Sequence, residues 1–204
     1  MGHSPVLLLV NDALPVHTFS EFVAYAKKYP DQLNYGSSGI GGASHMNMEL
    51  LKEEAHINVK HIPYRGNSAA DAALMSGEIQ AILDPVLLAL QPVASKRARA
   101  LAVTGKARSP FFPQVPTFAE AGLPNFDPWV YFGVLGPAKL PKDILDRLNK
   151  ELNEALNDPG VQSTLSKAGG LVIGGSTPDQ MARMLHDDMV KWKRVAEKSG
   201  ISAE

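Results

Sequence analysis

Ser37-Ser38-Gly39-Ile40-Gly41-Gly42-Ala43-Ser44-His45 lies between a short apolar stretch, Leu33 to Gly36, and a run with helical spacing through Met46, Met48, Leu50 and Leu51. The glycines Gly39, Gly41 and Gly42 allow positive φ and close backbone approach, and the serines add hydroxyl donors. The helix that follows contributes its free N-terminal amides and the positive end of its dipole. A chain built this way can aim several N–H groups at one carboxylate or phosphate. Taken alone, the stretch has two readings: an anion cradle, and a tight strand-to-helix turn with no ligand, which is common in α/β proteins.

Strand-like and helix-like segments alternate on both sides of this loop. Upstream, Val6 to Val10 is apolar and short enough for a strand, and Thr18 with Glu21 forms a capping box before Phe19, Phe22, Val23 and Ala26. Downstream, a helix over Ser44 to Ala55 leads to a strand near Val59 to Ile62 that ends in Pro63-Tyr64-Arg65-Gly66. Asn67 is placed to cap a helix carrying Ala70, Ala73 and Leu74 that stops at Gly77. Ile79 to Leu83 then reads as a buried strand ending at Asp84-Pro85, followed by a helix from Val86 to about Ser95 and a strand over Ala100 to Thr104. Strands separated by helices of ~10 residues imply βαβ units and a mainly parallel α/β sheet, with ligands beyond the carboxyl ends of the strands. Those ends are the loops after Tyr35, Ile62 and Leu83.

Lys106 to Pro128 is rich in Pro and Gly, with one capped turn at Thr117 to Glu120, and reads as an ordered excursion or linker. Beyond it come a strand over Val130 to Leu135, an amphipathic helix over Lys142 to Leu156 through Ile144, Leu145, Leu148 and Leu152, a helix starting at Asp158-Pro159, and a weak strand at Leu171 to Ile173. The last helix opens with a Thr177-Pro178 capping box closed by Gln180 and presents Met181, Leu185, Met189 and Trp192 on one face. This last third holds too little sheet to close a core of its own.

Composition excludes several classes. A net charge of −1 with no run of Lys or Arg gives no footprint for nucleic acid or an anionic membrane. With no cysteine, disulfides, thiolate metal sites and cysteine nucleophiles are excluded, and the compartment stays open. No stretch approaches the ~20 apolar residues needed to span a bilayer, and the N-terminus lacks a charged segment before an apolar signal core. The expectation is a soluble chain without an export signal. Met1 to Ser4 reads as an expression scar running straight into a strand, as in a fragment. The six histidines contain no i, i+4 pair with nearby carboxylates, so neither a metal nor a cofactor is expected.

Read in order, PVLLLVNDALPVHTFSEFVAYAKKYPDQLNYGSSGIGGASH, HIPYRG, ALAVTGKARSPFFPQVPTFAEAGLPNF and WVYFGVLGPAKLPKDILDRLNKEL resemble the substrate receptors of tripartite tricarboxylate transporters, often called Bug-type receptors. The likeness spans nearly the whole chain, in several separated motifs. It implies a periplasmic, two-lobed binding protein with mainly parallel sheets that closes around a small carboxylate and presents it to a membrane permease, without catalysis. In that family a glycine-rich loop with an Asp, in the first βα units of one lobe, also contacts the ligand. This sequence does not contain that part, which implies a complete second lobe and only the C-terminal part of the first.

Carried over by position, the family's ligand contacts fall on Ser37, Ser38, Gly39, Gly41, Gly42, Ala43, Ser44 and His45 in the loop over 36–45, with Tyr64, Arg65 and Gly66 from the next loop and Asp84 from the one after. The hinge strands correspond to Leu7 to Asn11 and Tyr131 to Leu135. Residues 5–128 would form the second lobe, and residues 129–204 a hinge strand and the C-terminal part of the first.

Each candidate has a plainer reading beside the functional one. His45 either donates to a carboxylate or fixes the loop backbone, and its place at a helix start favours the neutral ring. Arg65 suits a bidentate carboxylate contact but equally an outward-pointing strand end. Asp84 either meets a ligand amine or water, or caps the helix after it. Trp129 and Tyr131 line a cleft or pack in the core, Trp192 belongs to the core, and Lys142 to Glu154 is a solvated helix face.

Two other functions remain to be weighed. An enzyme would use Ser38 or Ser44 as nucleophile and His45 as base, but no nucleophile elbow surrounds either serine and no acid is placed to orient the histidine. A single-lobe fragment that pairs with a second copy of itself, without binding solute, would bury its exposed hinge strands.

Overall fold

The computed structural model describes residues 2–30, 32–169 and 172–201. Its elements, in order, are β1 (Gly2–Asn11), α1 (Phe19–Lys28), β2 (Asn34–Ser37), α2 (Ala43–Ala55), β3 (Lys60–Pro63), α3 (Asn67–Ser76), β4 (Ala81–Pro85), α4 (Val86–Ala94), β5 (Ala98–Val103), β6 (Trp129–Phe132), α5 (Lys142–Asn157), α6 (Pro159–Gly169), β7 (Val172–Ile173) and α7 (Pro178–Lys198).

The main sheet has the order β3-β2-β4-β1-β5. β2 runs parallel to β3 and β4, whereas β1 runs antiparallel to both β4 and β5. Four of the five strands therefore point the same way, and β1 is the reversed strand in their midst. Buried on both faces, Val6 to Val10 forms the apolar floor shared by two cores. One core packs α1 and α2 on the side of Leu8 and Val10; the other packs α3 and α4 on the side of Leu7 and Leu9.

β1 is longer than its apolar stretch. Gly2 to Pro5 pair with β6, and Gly2 and His3 also pair with β7, so the strand begins ahead of the apolar run. The His3 ring meets Trp129 edge-on, with centroids 4.4 Å apart. One continuous strand thus joins the main sheet to the pairing with β6 and β7.

Several local signals act as the residues dictate. Thr18 Oγ1 accepts from the Glu21 amide, but Glu21 Oε2 accepts from His17 N and not from Thr18 N, so the expected box there is half formed; the full capping box forms at Thr177 and Gln180. Gly77, at φ 86°, ends α3 with its N–H on Leu74 O. The segment from Lys106 to Pro128 is an ordered excursion. It is held by Thr117 and Glu120, each donating its amide to the other's side chain, and by Phe118 and Phe126 in the core.

Other expectations are corrected. The N-cap of α3 is Gly66, at φ 96°, and Asn67 opens the helix proper with its side chain turned to Asp84. β6 stops at Phe132, short of Leu135, and Val134 and Leu135 are exposed. On α7 the residue that reaches the core is Val195, with Trp192 packed beside it, while Leu185 and Met189 face outward. The apolar face of α5 is likewise uncovered: Ile144, Leu145, Leu148 and Leu152 are 37–49% exposed. The expected strand at Leu171 to Ile173 is described only at Val172–Ile173, because Leu171 lies outside the described residues. Among the described residues no helix is long and apolar enough to cross a membrane.

Candidate functional site

Parallel β2, β3 and β4 each feed a helix, so the N-termini of α2, α3 and α4 gather at one end of the sheet. The loop before α2 is closed by its own side chains. Ser37 Oγ donates to Gly39 O and accepts from Gly39 N, Ser38 donates its amide to Ser44 Oγ, and Gly41 donates its amide to His45 Nδ1. Gly39 and Gly41, at φ 134° and 74°, supply the left-handed backbone this path requires. Gly42, with φ −68°, is needed for a different reason: a Cβ there would stand 2.8 Å from Ser38 Oγ.

This self-closure decides which donors remain. The first-turn amides of α2, at Ala43, Ser44 and His45, have no intrahelical acceptor by helix geometry. Because His45 Nδ1 accepts from Gly41, the neutral ring carries its proton on Nε2, ready to donate. Burial lowers the His45 pKa, which keeps that neutral form dominant.

Beside the loop lies a groove of about 1250 Å³ between α2, β6 and α7. Gly41, Ala43, His45, Asn47 and His61 line one wall, and Trp129, Tyr131 and Trp192 line the other. Trp129 and Tyr131 therefore face the groove, while Trp192 both lines it and packs on the core.

The floor was not legible in the sequence. The imidazole of His61 stacks on that of His45 with centroids 3.7 Å apart, and on Tyr35 at 4.9 Å. His61 Nε2 meets Ser37 Oγ at 2.6 Å. Burial, and then the neighbouring His45, push the His61 pKa down to about 4. Tyr35 donates its hydroxyl to Glu49, which also pairs with Lys52 Nζ at 2.7 Å. Burial disfavours the charge on Glu49, yet these hydrogen bonds hold its pKa below the ordinary value. Tyr35 is pushed strongly upward by burial and by the same bond. Asn47 is 2% exposed and its Nδ2 has no partner among the described residues. His61 stands in register with Tyr35 across β2 and β3, a neighbour that only the pairing of the strands supplies.

The remaining candidates divide. Gly66 donates its amide to Ser38 O and Tyr64 donates its amide to Ser37 O, which lashes the second loop to the first. The Tyr64 hydroxyl is engaged with Glu78, and burial with that bond pushes its pKa up to about 12. Arg65 is exposed and makes no hydrogen bond or ion pair among the described residues. Asp84 is fully buried against Asn67, away from the groove lining. No cluster of metal-ligating side chains occurs among the described residues.

The sequence profile of the tripartite tricarboxylate transporter family receptors matches residues 1–201. The chain belongs to that receptor family. The family is periplasmic and consists of solute-binding receptors, not enzymes. Relatives of this chain include the UPF0065 protein in the tcbD-tcbE intergenic region of Pseudomonas sp. strain P51, 32% identical over 200 residues, and protein BugT of Bordetella pertussis, 29% identical over 200 residues. Each alignment covers 98% of this chain and 59% or 61% of the relative, so the chain spans about 60% of the length of these curated relatives. Among solved structures, R. palustris Rpa4515 with adipate superposes with a TM-score of 0.88 at 29% identity, covering 99% of this chain and 67% of that one. MatC from Rhodopseudomonas palustris with bound malate superposes with a TM-score of 0.81 at 28% identity, covering 95% and 67%. The mixed α/β architecture is that of the periplasmic binding proteins.

Proposed function

We propose that this chain captures a small carboxylate in the groove at the N-terminus of α2 and, in the periplasm, hands it to the membrane permease of a tripartite transporter. The observation that carries this reading is the self-closed loop. Its side chains satisfy its own backbone, while the first-turn amides of α2 and His45 Nε2–H stay available beside an open groove. Backbone donors at a helix N-terminus suit an anion without needing a cation. The related Rpa4515 and MatC structures, with adipate and malate, support a dicarboxylate of that size class.

The ligand set we assign is Ser37, Ser38, Gly39, Gly41, Gly42, Ala43, Ser44 and His45, backed by the lashing of Tyr64 and Gly66. Ser37 contributes by shaping the loop, since it is fully buried. We assign residues 5–128 to the ligand-binding lobe and residues 129–204 to the hinge strand and the C-terminal part of the other lobe. The continuity of β1 from β4 and β5 into β6 and β7 supports that division. A hydrolytic role for Ser38 or Ser44 is disfavoured, because His45 Nδ1 is spent on Gly41 and Ser44 Oγ accepts from Ser38 N.

A thermal-shift screen with malate, adipate and monocarboxylates tests the reading. Binding raises the melting temperature with ligand concentration, and Gly42→Val, which crowds Ser38 and the loop, abolishes the rise. A rise unchanged in the variant would remove the ligand from this loop.

A further inference from the structure

Two buried carboxyls stand outside the groove. Asp84, at the carboxyl end of β4, is 0% exposed, and Asp71, one turn into α3, is 8% exposed. Among the described residues, the carboxyl oxygens that are buried without a partner in this region are Asp84 Oδ2 and Asp71 Oδ1. Each aspartate lies close enough to the other to influence its titration. Two ionised carboxylates are acceptors only, so each orphan is explained if one proton lies between them, donated by one carboxyl and accepted by the other. The other oxygen of Asp84 accepts from Asn67 Nδ2.

No cation is recorded against the pair among the described residues. Asp84 lies two residues beyond Ile82 on β4 and so shares its face, the α3 and α4 side of the sheet, whose apolar core includes Leu7, Ala70, Leu74 and Val86. The charged group that faces each aspartate is the other aspartate, with Asn67 the polar neighbour of Asp84. Burial first, then hydrogen bonding with Asp71 and the charge of Asp71, raises Asp84 well above the ordinary carboxylate range; burial likewise raises Asp71.

From this pair a continuous path leads to the loop. Asp84 holds Asn67 at the first position of α3, Gly66 just before it donates to Ser38 O, and Tyr64 donates to Ser37 O. We propose that Asp71 and Asp84 share one proton and, through Asn67, hold the N-terminus of α3 against the anion loop, so that the loop loosens when the pair loses that proton. Asp71 and Asp84 are positioning residues, and their effect on ligand capture rests on the function proposed above. Loss of the proton leaves two adjacent charges in an apolar pocket. Separating them draws Asn67 and Gly66 away from Ser38.

Carboxyl-carbon NMR titration and amide hydrogen exchange on the ligand-free protein test this directly. The pair keeps one proton well above the ordinary carboxylate range, and the protection of the Gly66 amide, corrected for intrinsic exchange, falls roughly tenfold once pH rises past the point at which that proton is lost. In Asp71→Asn the new amide supplies the shared hydrogen permanently, and in Asp84→Asn the donor comes from the other side. Gly66 protection is flat with pH in either variant, so one folded variant suffices. The proposal is overturned if both aspartates titrate in the ordinary carboxylate range, or if wild type and variants share one pH profile. Calorimetry with malate and adipate separates the two readings. If neither binds at any pH while the titration and exchange signals appear, the ligand assignment fails and the proton-sharing pair stands.

Discussion

The imidazoles of His45 and His61 lie face to face, 3.7 Å apart between centroids and 10° from parallel. A stacked pair of this kind is stable when both rings are neutral, because a charge on one is buried beside the other. The two residues come from different elements, α2 and β3, and the contact sets the orientation in which His45 offers Nε2–H to the groove.

A pH dependence follows. Both folded-state pKa values lie below the ordinary histidine value, that of His61 at about 4. Groups depressed in this way contribute stability that is fully present above the unfolded pKa of about 6.5 and is lost as pH falls toward the folded value. Melting temperature declines between those limits, and His61→Gln shallows the decline. The aspartate pair acts with the opposite sign, stabilising at low pH and losing that contribution as pH rises. Asp71→Asn removes only that second component.

Gly36 is required by packing. A Cβ there would lie 2.4 Å from Ile79 Cδ1 and 3.2 Å from Ala70 Cβ. Gly36→Ala destabilises by about 1–3 kcal/mol in denaturant titration, the cost of overpacking a filled core. Combining it with Ile79→Val, which removes the clashing methyl, costs less than the sum of the two single changes.

α7 is anchored by its apolar contact more than by its charges. Val195 is 1% exposed, whereas Arg194 and Lys198 reach Glu53 at 2.8 and 2.6 Å from exposed positions. Val195→Ala costs about 2 kcal/mol, from the buried methyl groups and the cavity left behind. Glu53→Ala costs about 0.2–1 kcal/mol, and that effect shrinks in high salt.

The exposed face of α5 predicts a surface effect without a folding effect. Leu148 is 49% exposed, so Leu148→Lys changes stability by less than about 0.5 kcal/mol. The same change lowers the binding of a hydrophobic dye, since Leu148 lies amid Ile144, Leu145 and Leu152.

What the sequence disclosed depended on how local the cause was. The cap at Thr18, the box at Thr177 and Gln180, the stop at Gly77 and the tight glycine-serine loop before α2 follow from residues within one turn of each other. The reversal of β1 does not, because a strand buried on both faces reads as the same apolar run whichever way it is paired. His61 and Asp71 were missed for a related reason. One reads as a polar residue ahead of Ile62 and the other as a helix residue among alanines, and only the register of β2 with β3 and the packing of α3 on β4 give them partners. The amphipathic patterns of α5 and α7 were legible, but whether anything covers them is decided by the rest of the fold.

The most direct measurement is a nitrogen–proton NMR titration with malate and adipate, mapped onto the assigned backbone. The account predicts saturable shifts concentrated at the amides of Ala43, Ser44 and His45, with the His45 ring signals moving in step. Saturable binding with those signals still and the shifts gathered elsewhere would contradict it.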